Sequence, residues 1–145
     1  EFTSDGVIIK MTNHTTNKFE YNFLNCPDIA HPLSVSCAAK NIDANLQGLQ
    51  TLSIPETDRI NALKTELNKF GVEVLTTKNS IQITASQISN LASKISTYKD
   101  HRMAMSFAPF ALCDTIEIEN PAVVEKSFPH FWDELQKIGF IIQYK

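Results

Sequence analysis

The sequence predicts an α/β protein with mixed sheets, assembled from repeated βαβαββ units, and three observations carry that prediction. An internal repeat runs at an offset of 72 residues. Two apolar helical rows each end on a glycine that leads into a strand-like run. A polar turn, Lys78-Asn79-Ser80, separates two segments of alternating character.

The elements follow in chain order. "EFTSDGVIIKMT" reads as strand, Ser-Asp-Gly turn and strand, with Thr12 lying 72 residues before Thr84, so the chain opens inside one unit. Asp28 begins "DIAHPLSVSCAAKNID", an apolar helix closed by a polar turn, and Asp100 begins its counterpart, "DHRMAMSFAPFALCD". "LQTLSI" (49–54) and "TIEIEN" (115–120) read as strands, each followed by proline and a second helix. Ile60, Leu63, Leu67 and Phe70 share one face of the first such helix, with Gly71 as its C-terminal cap. Phe128, Phe131, Leu135 and Ile138, followed by Gly139, repeat the arrangement. "VEVLTT" and "FIIQYK" are the strands after the two glycines, and "IQITA" returns from the turn as a hairpin. The expected division is a hairpin tail at 1–20, a complete unit at 21–86 and a third unit without its closing strand at 87–145, all within a longer protein.

Composition narrows the function. With 43% hydrophobic and 20% charged residues, the 145-residue chain has the makings of one ordinary core. A formal charge of -3 and the lack of an aromatic stacking row argue against a nucleic-acid binder. Phe107, Phe110, Phe128, Phe131 and Trp132 are expected in the core instead. No run approaches the ~18 apolar residues of a membrane span, and the first residues do not form a signal peptide. Cys26, Cys37 and Cys113 lack the spacing of a zinc site or disulfide framework, so a reduced cytoplasm and no metal are expected. The Asn13-His14-Thr15 sequon is incidental in such a chain.

In βαβ architecture the helix N-termini gather at the carboxyl edge of the sheet, where ligands bind. Four helix starts are expected: near Asp28, at Ser53 to Arg59, at Asp100 to Arg102, and at Lys126 to Ser127. Asp28 and Asp100 suit an N-cap, and Ser53-Ile54-Pro55-Glu56 fits a capping box. Arg59, His101, Arg102 and Lys126 are less easily explained, because the positive end of the helix dipole disfavours cations. An anion held by them and by the free amides reverses that penalty, which points to a phosphate or carboxylate ligand. Asp28 and Glu56 are then candidate proton acceptor and donor, in an order that spacing leaves open.

"PETDR" (55–59), "DHRMAM" (100–105) and "VVEKSFPHFWDEL" (123–135) resemble the C-terminal domain of the 5-enolpyruvylshikimate-3-phosphate synthase family, and the resemblance covers nearly the whole chain. It implies a two-domain protein of repeated βαβαββ units whose other, N-terminal domain completes the cleft. The implied reaction serves aromatic amino acid biosynthesis. It transfers the enolpyruvyl group of phosphoenolpyruvate to the 5-hydroxyl of shikimate 3-phosphate, with no cofactor. By the same resemblance Asp28 contacts the shikimate hydroxyls and takes the proton of the attacking one, and Glu56 serves the methylene carbon. Arg59, His101, Arg102 and Lys126 are assigned to phosphoenolpyruvate, and Thr51 to shikimate 3-phosphate. Two positions depart from the family: Pro55 stands where lysine is usual and Thr51 where many members have asparagine. The alternative is a non-catalytic α/β anion-binding or interaction module derived from the same fold.

Overall fold

Alternating burial marks the central sheet of the computed structural model, which describes residues 2–3, 6–7, 16–54, 57–89, 94–113 and 115–145. β1 (Phe2–Thr3) and β2 (Gly6–Val7) pair antiparallel, Phe2 opposite Val7. Next come β3 (Lys18–Asn22), α1 (Ala30–Ala39), β4 (Asp43–Gln47), a short β5–β6 ribbon (Ser53–Ile54 and Thr57–Asp58), α2 (Arg59–Lys69), β7 (Glu73–Thr76) and β8 (Ser80–Thr84). The sheet order is β3-β4-β8-β7, with β3 parallel to β4 and the other neighbours antiparallel. Apart from the ribbon, β3 to β8 run in βαβαββ order. β9 (Lys94–Ile95), α3 (His101–Phe107), β10 (Glu117–Ile118) and α4 (Phe131–Lys137) complete the chain, with β9 parallel to β10.

Ala44 and Leu46 on β4, Ile81 and Ile83 on β8, and Val74 on β7 turn inward. α1 packs on β4 and β8, and α2 on β7. The core continues through Phe23, Leu63, Leu67, Phe70, Phe107 and Phe110, with the Phe70 and Phe110 rings 4.5 Å apart. Gly71 (φ +78) and Gly139 (φ +106) take left-handed conformations just past α2 and α4, as expected of C-caps, and Asn41 (φ 56) does the same after α1. Among the described residues no helix is long and apolar enough to cross a membrane. The sequon and the expected strand beyond Val7 fall outside the described residues.

Five expectations are corrected. The strand after α1 is Asp43–Gln47, not 49–54, and it lies at the repeat offset from the segment containing β10. Polar Asp43, Asn45 and Gln47 alternate with buried Ala44 and Leu46, a half-buried pattern that the apolar residues further on obscure. The helix from Asp100 turns at Ala108 into a 3₁₀ stretch ending at Leu112, because Pro109 has no N–H to donate. No helix begins at Lys126: Pro121–Val124 is 3₁₀, residues 125–127 are a turn, and α4 starts at Phe131. Pro129 disfavours helical backbone at Phe128, which sits ahead of the helix 39% exposed, edge-on to Phe131 rather than in the core. Finally, "FIIQYK" (140–145) forms no strand in the described structure, since extended backbone becomes strand only beside a partner. Its end is held by Lys145 Nζ, 2.6 Å from Glu117 Oε2.

The two apolar rows therefore carry unequal weight. Phe70 is fully buried, whereas its counterpart Ile138 is 74% exposed. Urea denaturation is expected to show a loss of about 3–5 kcal/mol for Phe70→Ala and under about 0.5 kcal/mol for Ile138→Ala.

Candidate functional site

Three helix starts meet around one carboxylate. α1 is entered through the 3₁₀ turn Pro27–Ile29, and Asp28 lies in its first turn without capping it, contrary to the N-cap expectation. α2 is capped by Asp58, whose side chain accepts the Asn61 N–H at 3.1 Å, rather than by Ser53. This places Arg59 as the first residue of α2. Glu56 and Pro55 lie outside the described residues. α3 is capped by Asp100, which accepts the Arg102 N–H at 2.8 Å.

Asp100 is also the hub of an ion network. Arg59 Nε donates to Asp100 Oδ2 at 2.8 Å, and Arg102 Nη1 lies 3.7 Å from Oδ1. Arg102 Nε is 3.0 Å from Asp28 Oδ1, and His101 Nδ1 is 3.8 Å from Asp100 Oδ1. Asp28 is the open end of the network, its side chain 59% exposed against 10% for Asp100. Burial by itself raises the Asp100 pKa. The Arg102 amide and the Arg59 and Arg102 guanidiniums outweigh it and hold the carboxyl below its ordinary value.

Asp28, Arg59, His101 and Arg102, far apart in sequence, thus come together. Thr51 is exposed in the 3₁₀ turn Gln50–Leu52, which packs against the turn carrying Asp28. Lys126 is exposed and has no hydrogen bond or ion pair with a described residue, so it stands outside the network. The two guanidiniums face two carboxylates. Their positions at helix starts are therefore accounted for by Asp28 and Asp100, and an anion is not needed to explain them.

The sequence reading treated Asp100 only as a cap and passed over His31 and Glu66. Each carries a signal: Glu66 stands beside Leu67 on the inward face of α2, and His31 lies among apolar residues of α1. Both are buried, at 0% and 1% exposure. Neither ring nitrogen of His31 meets a hydrogen-bond partner among the described residues. Burial pushes its pKa from 6.5 down to about 4; Asp100 opposes that shift, and Arg59 and Arg102 add to it.

The sign of the stability effect follows. In the fold His31 stays neutral down to about pH 4, while in the unfolded chain it protonates below 6.5. Stability is therefore full above about pH 6.5 and declines by roughly 3 kcal/mol as pH falls toward 4. Asp100 behaves differently. Its folded pKa lies below 3.8, so its contribution is lost only as pH falls through that lower value. Urea denaturation across this range is expected to show the upper decline in the parent chain and its absence in His31→Leu; an unchanged decline in the variant assigns it to other groups.

The chain is similar to known proteins over most of its length. The EPSP synthase (3-phosphoshikimate 1-carboxyvinyltransferase) family model matches residues 3–135. A 3-phosphoshikimate 1-carboxyvinyltransferase of Bacteroides fragilis is 42% identical over 147 aligned residues, covering 99% of this chain and 36% of the relative. One of Escherichia coli is 34% identical, covering 90% of this chain and 31% of the relative. The chain therefore spans about a third of the length of these relatives. Among solved structures, an EPSP synthase from Acinetobacter baumannii superposes with a TM-score of 0.67 at 26% identity, over 81% of this chain and 28% of that one. On the family match over nearly its whole length, the chain belongs to the EPSP synthase family.

Proposed function

We propose that the protein containing this chain transfers the enolpyruvyl group of phosphoenolpyruvate to the 5-hydroxyl of shikimate 3-phosphate, and that this chain supplies the phosphoenolpyruvate side of the site. The observation that carries the reading is the Asp28–Arg102–Asp100–Arg59 network, which gathers candidate base and cations from three separate helix starts. Arg59, His101, Arg102 and Lys126 hold the phosphate and carboxylate of phosphoenolpyruvate. Arg59 binds Asp100 through Nε, so its η nitrogens are left to an anion. Arg102 exchanges its contact with exposed Asp28 for the same anion.

That exchange frees the Asp28 carboxylate to act as base. Asp28 takes the proton of the 5-hydroxyl as its oxygen bonds to the phosphate-bearing carbon, and Glu56 protonates the methylene carbon. In the resulting tetrahedral adduct Glu56 takes back a proton, the double bond re-forms and inorganic phosphate leaves. Thr51 and the segment at Pro55 border the shikimate 3-phosphate side, and the partner half of the cleft is an N-terminal domain of the same protein. Chemistry of this kind needs a closed, water-excluding cleft, so the 145-residue chain alone is inactive.

A second reading, a non-catalytic anion-binding module, is favoured by one observation: Pro55 carries neither the charge nor the N–H of the lysine usual in the family. Phosphate-release assays separate the two. The whole protein is expected to turn over and the isolated chain to stay at background. Arg102→Ala is expected to raise the KM for phosphoenolpyruvate by about 10- to 100-fold, the weight of one charged hydrogen bond, and Lys126→Ala to raise it as well. An active isolated chain refutes the split site, and an inactive whole protein favours the module.

A further inference from the structure

Just ahead of Asp100 the backbone does something that ordinary side chains avoid. Tyr98 and Lys99 both have left-handed φ values, +52 and +59, and the Asp100 N–H closes back on the Thr97 carbonyl at 2.8 Å. Two positive φ angles inside an i to i+3 bond are the pattern of a type I′ turn, a geometry that favours Asn-Gly and that a tyrosine and a lysine adopt only under constraint.

The constraint lies in the core below. Glu66 of α2 is wholly buried, and three donors from other positions converge on its carboxylate. The Tyr98 hydroxyl donates to Oε1 at 2.8 Å; the Ser96 N–H at 3.1 Å and Lys69 Nζ at 2.5 Å reach Oε2. Three donors converging on one group are the surroundings that an acceptor-only carboxylate satisfies. One of them, Tyr98, belongs to the turn, and another, Ser96, to the segment leading into it. Glu66 also sits two helical turns after Arg59 on α2, so one helix carries both the anchor for the turn and the guanidinium that the turn must deliver Asp100 to.

We infer that Glu66 and Tyr98 are positioning residues: the buried carboxylate holds Tyr98 through its hydroxyl, the tether keeps the strained turn closed, and the turn sets Asp100 where it caps α3 and orients Arg59 and Arg102. The inference rests on the reading of that network as the phosphoenolpyruvate side of a transferase site. Tyr98 itself needs no contact with substrate. Burial, then its bond to Glu66, pushes its pKa up to about 12, so the hydroxyl keeps its proton for the tether at neutral pH.

The role predicts a rescue. Tyr98→Phe removes the tether but keeps the half-exposed ring; Lys99→Gly places at the turn the residue that accepts positive φ without cost. In the whole protein Tyr98→Phe is expected to raise the KM for phosphoenolpyruvate about tenfold, on the scale of one hydrogen bond to a charged acceptor. The KM for shikimate 3-phosphate stays near its parent value, and adding Lys99→Gly to Tyr98→Phe restores most of the loss. A tether that merely stabilised the fold lowers the active fraction, and with it kcat, while both KM values hold; that result overturns the inference. So does a loss that Lys99→Gly fails to relieve, which places the hydroxyl on the substrate. If the parent protein does not turn over, the functional reading falls, and amide exchange at Arg102 decides the positioning claim. Faster exchange in Tyr98→Phe that Lys99→Gly slows again supports it, and unchanged exchange overturns it.

Discussion

The Asp100 carboxylate is the constraint on which the rest of the site depends. One of its oxygens caps α3, the other takes Arg59 from the first residue of α2, and Arg102 continues the chain of charge to Asp28 ahead of α1. Because Asp100 is 9% exposed, neither guanidinium can be removed without leaving a desolvated carboxylate short of a partner. The contact also ties the βαβαββ run to the segment that follows it, since Arg59 and Asp100 stand 41 positions apart. The arrangement stores charge rather than displaying it. The guanidiniums are oriented by fixed acids, and the outermost acid, Asp28, is exposed enough to give way.

Beneath the network a second buried carboxylate supports the first. Left-handed backbone costs an L-residue on the order of 1–2 kcal/mol, and Tyr98 and Lys99 bear that cost in succession. Glu66 offsets it by collecting the Tyr98 hydroxyl and the Ser96 amide in a place where an unsatisfied acceptor would itself be costly. His31 is the contrasting case. It lies in the same region, close enough to feel all four charges of the network, yet its ring nitrogens have no partner among the described residues, and burial keeps it neutral. Two buried ionisable groups are thus treated oppositely. One is satisfied and load-sharing, while the other is tolerated at a pH-dependent expense.

Much of the fold was legible because periodicity and glycine placement are local signals. The α2 row, its Gly71 cap and the β7–β8 hairpin were readable from spacing alone. The misread elements have separate causes. β4 alternates polar and buried residues, so the more apolar segment after it drew the assignment, whereas Pro129 delays α4 past the start expected at Lys126. The last six residues fail as a strand because strand formation depends on a neighbour, a property that "FIIQYK" does not itself contain. At the site, residue types at helix starts pointed to Asp28, Arg59, His101 and Arg102, which the fold gathers. Their pairing through Asp100 was not readable, because it depends on the relative placement of two helices across a long separation. Lys126 shows the limit of the helix-start argument, since the helix it was assigned to begins five residues later.

The central claim is that Arg59 and Arg102, oriented by Asp100, act as one anion-holding unit. The most direct measurement follows the Nε–Hε resonances of both arginines by NMR while phosphoenolpyruvate is titrated into the whole protein in the presence of shikimate 3-phosphate. The account predicts that both shift along one binding curve, with the Arg102 signal reporting release from Asp28 while Arg59 keeps the signature of its bond to Asp100. Shifts that follow separate curves, or an Arg102 that stays on Asp28 at saturation, would contradict it.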